Sequence, residues 1–194
     1  MKKLLVLTLL VLMAGTTAPV LAAAPKTDHT PQAKSYIDNL GQQAMDTIEA
    51  SKSGKITEVQ AKDKFRVLLN QSFDIPTIAR FTLGRYWRVA TPAQQKEFTS
   101  MLQDVIINKY ADRILNASSG TYEILGASAI NERDYAVMMK VKPIDDAPIS
   151  FAWRVRDTEG KLKVIDLAVE GVSMSITHRS DYASAIERNG GSVQ

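Results

Sequence analysis

The sequence of 194 residues contains no cysteine and only two histidines. Without cysteine, neither a disulfide framework nor lipid attachment through an N-terminal cysteine is possible. His29 and His178 have no second histidine or cysteine near them in the sequence, so the spacing of a zinc site is missing. A glycine-rich phosphate loop and a complete serine-nucleophile motif are missing as well. These absences predict a protein that uses no metal, no cofactor and no catalytic centre.

The N-terminal segment has the composition of a cleaved secretory signal. Two lysines are followed by an apolar stretch from residue 4 to about residue 15, and three alanines occupy positions 22–24. This order is typical of exported proteins, and the apolar part is shorter than the roughly 20 residues that cross a bilayer. We therefore predict a signal peptide over residues 1–24 and a single secreted domain over residues 25–194.

The charge of the mature chain is close to zero. Removal of the first 24 residues takes away two lysines and no acid, which leaves 22 basic and 21 acidic residues. The isoelectric point near 9.0 therefore belongs partly to the signal segment. A near-neutral protein lacks the basic surface that nucleic acid requires, so no nucleic acid partner is expected.

The first half of the mature chain has helical periodicity, with apolar residues three or four positions apart. Thr57 can cap one helix, and Thr91 followed by Pro92 is typical of the start of another. The apolar stripe of the helix that begins at Pro92 is wider than one face, which indicates burial on more than one side. The four predicted helices contain Ala33 to Ile48, Ala61 to Leu69, a short stretch from Pro76 to about Gly84, and a long stretch from Pro92 to about Asn116.

After Gly120 the apolar period changes from helical to two. Tyr135, Val137 and Met139, for example, alternate with small or polar residues, as in a strand with one buried face. We predict an α+β fold, with N-terminal helices packed on one face of a twisted, mostly antiparallel four-stranded sheet. The predicted later elements are strands over Tyr122–Ile130, Tyr135–Val141, Ile149–Val155 and Leu162–Val169, and a last helix from about Asp181 to Arg188.

Three stretches resemble the MlaC family, the periplasmic phospholipid-binding proteins that are also called toluene-tolerance auxiliary proteins. The first is Phe73–Arg88 (FDIPTIARFTLGRYWR), and Ala90–Phe98 (ATPAQQKEF) follows it. The third is Glu170–Met174 (EGVSM), with Arg179 downstream. The order and spacing of these motifs are similar to those of the family, and the likeness covers about residues 30–191.

The resemblance implies a fold, a location and a function. The fold is a twisted sheet wrapped by helices, like the nuclear-transport-factor cone. Members of the family carry phospholipid through the periplasm between an outer-membrane lipoprotein complex and an inner-membrane ABC transporter with an MCE-domain subunit. Because the same fold also contains enzymes, the function has to be argued from the site.

A phospholipid carrier must replace the water-excluding environment of a bilayer. Two acyl chains contain about 30 methylenes. At roughly 0.8 kcal/mol each, exposing them to water costs about 24 kcal/mol. The cavity should therefore be apolar and near the upper end of the usual range of about 300–1,000 Å³. The predicted wall consists of Ile75, Ile78, Leu83, Tyr86, Trp87, Phe98, Leu102, Val105, Ile106, Tyr110, Phe151, Trp153, Val169, Val172 and Met174.

Alternatives remain open at this stage. For each apolar residue of the wall the alternative is an ordinary packed core. Arg80, Arg85 and Arg88 are predicted to contact the lipid headgroup or a partner, and simple surface ion pairs are the alternative. The ligand could be another apolar lipid, such as a hopanoid. An isomerase or cyclase on the same fold would require an Asp or Glu buried alone in the apolar wall.

Overall fold

The computed structural model describes residues 28–116, 120–144 and 146–193. The predicted signal segment lies outside these residues. Within them, no helix is both long and apolar enough to cross a membrane. The helices are α1 (Thr30–Lys52), α2 (Glu58–Ser72), α3 (Ile75–Leu83), which continues into a 3-10 helix (Gly84–Arg88), α4 (Pro92–Asn116) and α5 (Met174–Arg188).

The strands form one antiparallel sheet in which each strand pairs with the next along the chain. The predicted α+β class is confirmed, and the sheet has a short fifth strand in addition to the four that the sequence predicts. The strands are β1 (Gly120–Ala129), β2 (Asp134–Pro143), β3 (Ile149–Thr158), β4 (Lys161–Val169) and β5 (Val172–Ser173).

Two helices begin where the sequence places a threonine cap. Thr57 Oγ1 accepts a hydrogen bond from the backbone N–H of Gln60, while Gln60 Oε1 accepts one from the Thr57 N–H. Thr91 and Gln94 form the same reciprocal pair at the start of α4. Each capping box satisfies two N–H groups that would otherwise lack a partner at the helix start.

The last helix begins earlier than predicted. We placed its start near Asp181, but α5 begins at Met174, seven residues before. Ser173 is the cap, and the carboxylate of Asp166 accepts hydrogen bonds from Ser173 Oγ at 2.5 Å and from the Ser175 N–H at 3.1 Å. Because Asp166 belongs to β4, this stabilisation of the helix start comes from outside the segment, and local sequence periodicity does not reveal it.

The helices pack on one face of the sheet, which we call the inner face. Tyr135, Val137 and Met139 of β2 point to this face and are buried against α1, as their period of two predicts. Two β-bulges change the phase of the pattern, one at Leu125 in β1 and one at Ile165 in β4. Beyond each bulge, the inner-face side chains shift from even to odd positions.

The interior is divided into two main hydrophobic clusters. A helical cluster is formed by α2, α3 and α4, and a sheet cluster by α1 with the inner faces of β2, β3 and β4. Two half-buried side chains, Leu68 and Phe73, contact both clusters. A domain of this size usually has one contiguous core, and here Leu68 and Phe73 are the side chains through which the two clusters meet. A third, smaller cluster joins the 3-10 helix to α5.

Candidate functional site

Aromatic side chains mark the boundary between the helical and sheet clusters. Phe73, which follows α2, meets Trp153 of β3 edge to face, with ring centroids 6.3 Å apart. Trp153 in turn stacks on Phe151 at 6.4 Å, and both side chains lie on the inner face of the sheet. All three are only half-buried. They form an apolar surface that packs against the sheet cluster and keeps part of its area exposed.

The same apolar surface continues towards the start of α5. Phe151 is paired across the strands with Val169, and Val169 is followed after a short turn by Met174. The Sδ of Met174 lies 3.7 Å from the hydroxyl of Tyr110 on α4. We call these six half-buried residues the seam: Phe73, Tyr110, Phe151, Trp153, Val169 and Met174.

Trp153 has a polar group that finds no partner. Its indole Nε1 is buried and, within the described part of the chain, it is the one buried side-chain nitrogen or oxygen that makes no hydrogen bond. A buried donor without an acceptor costs about 1–3 kcal/mol. A molecule bound in the seam with an oxygen near Trp153 would remove this cost.

The structure brings five of the predicted wall residues together in the seam: Tyr110, Phe151, Trp153, Val169 and Met174. Others are in the packed clusters, where Ile75, Ile78, Leu83, Tyr86 and Leu102 are buried and Trp87, Phe98 and Ile106 pack partly buried against them. Val105 and Val172 lie outside both groups, with 42% and 55% of their surface exposed. Their role in a lipid site stays a prediction.

The three predicted arginines lie on the surface. Arg85 forms an ion pair with Glu187 and donates a hydrogen bond to the Tyr86 hydroxyl at 2.9 Å. Among the described residues, Arg80 and Arg88 make no ion pair. Arg85 thus holds a structural contact, whereas Arg80 and Arg88 are available to an external anion.

Two inner-face residues were not predicted as part of the site. Phe73 belongs to the recognised motif, but its position after α2 gave no indication that it meets the sheet. Leu167 is the cross-strand partner of Trp153 and is half-buried beside the seam. In the segment KLKVIDLAV the apolar residues change from even positions (Leu162, Val164) to odd positions (Leu167, Val169). This change of alternation could have predicted that Leu167 lies on the inner face.

The titratable groups near the seam are few. The Nε2 atom of His178 on α5 lies 3.5 Å from the Tyr110 hydroxyl oxygen, and the imidazole ring stacks on Tyr182. Burial lowers the pKa of His178 below its usual value, and the nearby Lys109 lowers it further. An imidazole that stays neutral is compatible with an apolar neighbourhood.

The buried carboxylates that the structure describes both contact basic side chains. Asp134 binds Arg154 and Arg156, and Asp157 contacts His29. Neither is the isolated carboxylate that an isomerase would use as a base. Residues 28–116, 120–144 and 146–193 also contain no group of three histidine or acidic side chains that could hold a metal ion.

Two open grooves lie away from the seam and have charged linings. The larger, of about 840 Å³, runs between α1 and β1, and its lining includes Asp38, Asp46 and Glu49. The smaller, of about 460 Å³, lies between α1 and α2 and includes Asp63. Carboxylates in the wall disfavour both acyl chains and phosphate, so neither groove has the chemistry of a phospholipid site.

The fold and the seam together define an α+β protein with an aromatic-lined boundary through its interior. The family model described as MlaC protein matches residues 38–193, so the chain belongs to the MlaC family. The toluene tolerance protein ttg2D of Pseudomonas putida is 25% identical over 184 residues, which cover 94% of this chain and 82% of the relative.

The fold is also similar to a solved structure. The phospholipid-binding protein from Ralstonia solanacearum, solved in complex with a phospholipid, superimposes with a TM-score of 0.71 at 22% identity. The match covers 82% of this chain and 89% of the other. At this identity the likeness concerns the fold, and it agrees with the predicted arrangement of helices on a twisted sheet.

Proposed function

We propose that this protein is a periplasmic phospholipid carrier that holds acyl chains in the seam and catalyses no reaction. Membership of the MlaC family supports lipid binding and transport. The relative from Ralstonia solanacearum, which is a phospholipid-binding protein by name, supports phospholipid as the ligand. The single observation that carries the proposal is the division of the interior into two clusters along an aromatic boundary.

The seam has the chemistry that acyl chains require. Its six members present aromatic rings, an isopropyl group and a thioether, and none carries a formal charge. Aromatic rings and methionine adapt to irregular apolar ligands, because they offer large surfaces and soft contacts. Since the members are half-buried already, a bound chain would complete their burial and gain apolar area at about 25 cal/mol per Å².

The two layers can separate at the seam at low cost. Packed cores resist opening because every side chain has close neighbours on all sides. Here the helical and sheet clusters share Leu68 and Phe73, and α1 contacts both. Local widening between the two clusters would therefore admit an acyl chain while most contacts within each cluster persist.

The finer parts of the function are proposed on the basis of the family. We propose that the protein exchanges lipid with an outer-membrane lipoprotein complex and with an inner-membrane ABC transporter that has an MCE-domain subunit. The surface guanidinium groups of Arg80 and Arg88 are suited to contact either the lipid phosphate or such a partner, because their planar donors match phosphate and carboxylate oxygens.

A pair of methionine variants tests the site. Met174→Trp places an indole in the seam, while Met101→Trp makes the same change on α4 at a side chain that is 56% exposed. The full chain is exported, purified from the periplasm and analysed by native mass spectrometry and lipid extraction. We expect Met174→Trp to reduce the lipid load to less than about half, because the ring fills space that the ligand needs. Met101→Trp should keep the wild-type load.

The outcomes separate the alternatives. A full phospholipid load in Met174→Trp would remove the seam from the proposal. Wild-type protein that stays empty after incubation with phospholipid vesicles, although folded by circular dichroism, would contradict the carrier function itself. Extraction of a hopanoid in place of phospholipid would keep the seam and change the ligand.

A further inference from the structure

The sheet has one long edge along which no described strand pairs. β1 pairs with β2 on one side, and the described strands include none on its other side. The opposite edge of the sheet is the two-residue strand β5, which leads directly into α5. An edge strand presents a row of backbone N–H and C=O groups that can pair with another chain.

The regular part of this edge is short. The register of β1 with β2 is continuous from Gly120 to Ile124 and shifts at the bulge that follows. A bulge twists an edge and interrupts further pairing. An added strand would therefore pair with about five residues, Gly120–Ile124.

The groove of about 840 Å³ opens beside the same five residues. Its lining includes Gly120, Thr121, Tyr122 and Ile124 from β1, and residues of α1 from Lys34 to Glu49. A strand added at about 4.8 Å from β1 would direct alternate side chains over the inner face and into this groove. The groove and the free backbone edge thus form one surface.

Contacts between Tyr122 and α1 fix the shape of the groove. The Tyr122 hydroxyl donates to the Asp38 backbone oxygen and to its carboxylate, at 2.9 and 3.0 Å. A Cβ at Gly41 would lie 2.9 Å from the Tyr122 ring, so glycine is required for this close approach. Burial of the phenol, and then the Asp38 carboxylate, raise the pKa of Tyr122 to about 12, so the hydroxyl remains protonated as the donor.

The charge of the groove selects its occupant. Three carboxylates, Asp38, Asp46 and Glu49, lie in the lining against one ammonium group, that of Lys34. The floor also contains the apolar side chains of Met45 and Ile48. Lysine and arginine fit both features, because their methylene stems cover apolar surface while their charged ends reach carboxylates.

We propose that the edge of β1 binds an extended segment of a partner protein by strand addition, with lysine or arginine at alternate positions directed into the α1–β1 groove. Backbone hydrogen bonds to Gly120–Ile124 supply sequence-independent affinity, and the carboxylates supply the preference for basic side chains. This surface is separate from the seam, so the proposal does not depend on the lipid function.

The probe is an eight-residue peptide of alternating lysine and threonine, with the same peptide carrying glutamate for lysine as the control. Binding to the purified protein is measured by calorimetry, and backbone amide exchange is followed by NMR. We expect the lysine peptide to bind, to slow amide exchange within residues 120–124 and to leave residues 149–155 unchanged. The glutamate peptide should not bind.

A matched pair of charge reversals tests the groove. Asp46→Lys changes the lining of the α1–β1 groove and also that of the smaller groove, which Asp46 borders as well, whereas Asp63→Lys changes the smaller groove alone. Asp46→Lys should weaken peptide binding by about tenfold or more, because an attraction becomes a repulsion. Asp63→Lys should leave the affinity within about twofold of wild type, since its charge lies outside the proposed contact.

Three results would overturn the proposal. The first is that the lysine peptide does not bind at a concentration of about 1 mM, because a specific contact should have a dissociation constant below this value. The second is binding that leaves exchange of the β1 amides unchanged, which would mean charge attraction without strand addition. The third is equal weakening by Asp46→Lys and Asp63→Lys. Lipid load, measured in the same samples, reports separately on the proposed carrier function.

Discussion

Phe73 and Trp153 meet edge to face at 6.3 Å, and this contact joins the helical layer to the sheet. The backbone beside it is also fixed, because the Asp74 N–H donates to the Val164 carbonyl of β4 at 2.9 Å. The junction between α2 and α3 is therefore pinned to the sheet, and the rest of the seam extends away from this point towards Met174. Opening of the layers should therefore be small at Phe73.

The two tryptophans provide a direct test of this geometry. The variant Trp87→Phe retains Trp153 in the seam, and Trp153→Phe retains Trp87, which packs between the helical cluster and the small third cluster. Loading with a phospholipid brominated on its acyl chains should quench fluorescence strongly in Trp87→Phe and weakly in Trp153→Phe, because bromine quenches at short range. The measurement is the emission intensity relative to the unbrominated lipid.

Equal quenching in both variants would place the acyl chains elsewhere, within or beside the helical cluster.

The stability of Trp153→Phe gives a check on the substitution itself. Trp153→Phe removes a buried N–H that has no partner, so the loss of packing should be partly offset, and we expect a destabilisation below about 1.5 kcal/mol by urea unfolding.

Much of the fold could be predicted because the decisive signals are local. The caps at Thr57 and Thr91 and the alternation of Tyr135, Val137 and Met139 each depend on a few neighbouring residues, and the structure confirms them. The start of α5 could not be predicted, because its stabilising carboxylate, Asp166, lies in another element.

The site was harder to predict than the fold. Sequence periodicity identifies which side chains are apolar, but it does not distinguish a fully packed position such as Leu102 from a half-buried one such as Met174. That distinction depends on which side chains from other elements surround each position in the folded protein. Val105 shows the same limit, since the wide apolar stripe of α4 includes it although 42% of its surface is exposed.

Asp134 should be a major source of stability on the outer side of the sheet. Its side chain is 1% exposed and accepts hydrogen bonds from Arg156 Nε at 2.7 Å and Arg154 Nη2 at 2.6 Å. Asp134→Ala leaves both cations without their partner and should cost about 2–4 kcal/mol by urea unfolding at pH 7. Glu123→Gln, which alters the exposed pair with Lys142, is the control and should cost less than about 1 kcal/mol.

The contribution of Asp134 should also depend on pH. Hydrogen bonds from Arg156, and then from Arg154, hold the pKa of this carboxyl well below its usual value of 3.8. The stabilisation is therefore complete above that value and is lost as the pH falls through the folded-state pKa. The difference between wild type and Asp134→Ala should shrink below about pH 3.8. A constant difference down to acid unfolding would mean that packing, and not charge, is lost.

His178 should make the protein less stable at mildly acidic pH. Burial, and then Lys109, lower its pKa from 6.5, while Asp181 opposes the shift. The unfolded chain therefore takes up a proton first as the pH falls below 6.5, and the folded state loses stability until its own pKa is reached. The free energy of unfolding, measured by urea between pH 7.5 and pH 5, should fall more steeply in wild type than in His178→Asn. Parallel curves would contradict this assignment.

The Asp166 carboxylate should decide where α5 begins. It binds Ser173 Oγ and the Ser175 N–H, and so it holds the helix start against β4. Asp166→Ala removes both hydrogen bonds, and we expect a loss of about 1–2 kcal/mol, together with faster amide exchange over residues 174–177. Ser173→Ala removes the cap hydroxyl but leaves the carboxylate, so its effect should be smaller. Because Met174 stands at this helix start and contacts Tyr110, loosening it should also weaken lipid retention. An Asp166→Ala protein with unchanged exchange over these residues would show that packing alone holds the start of α5.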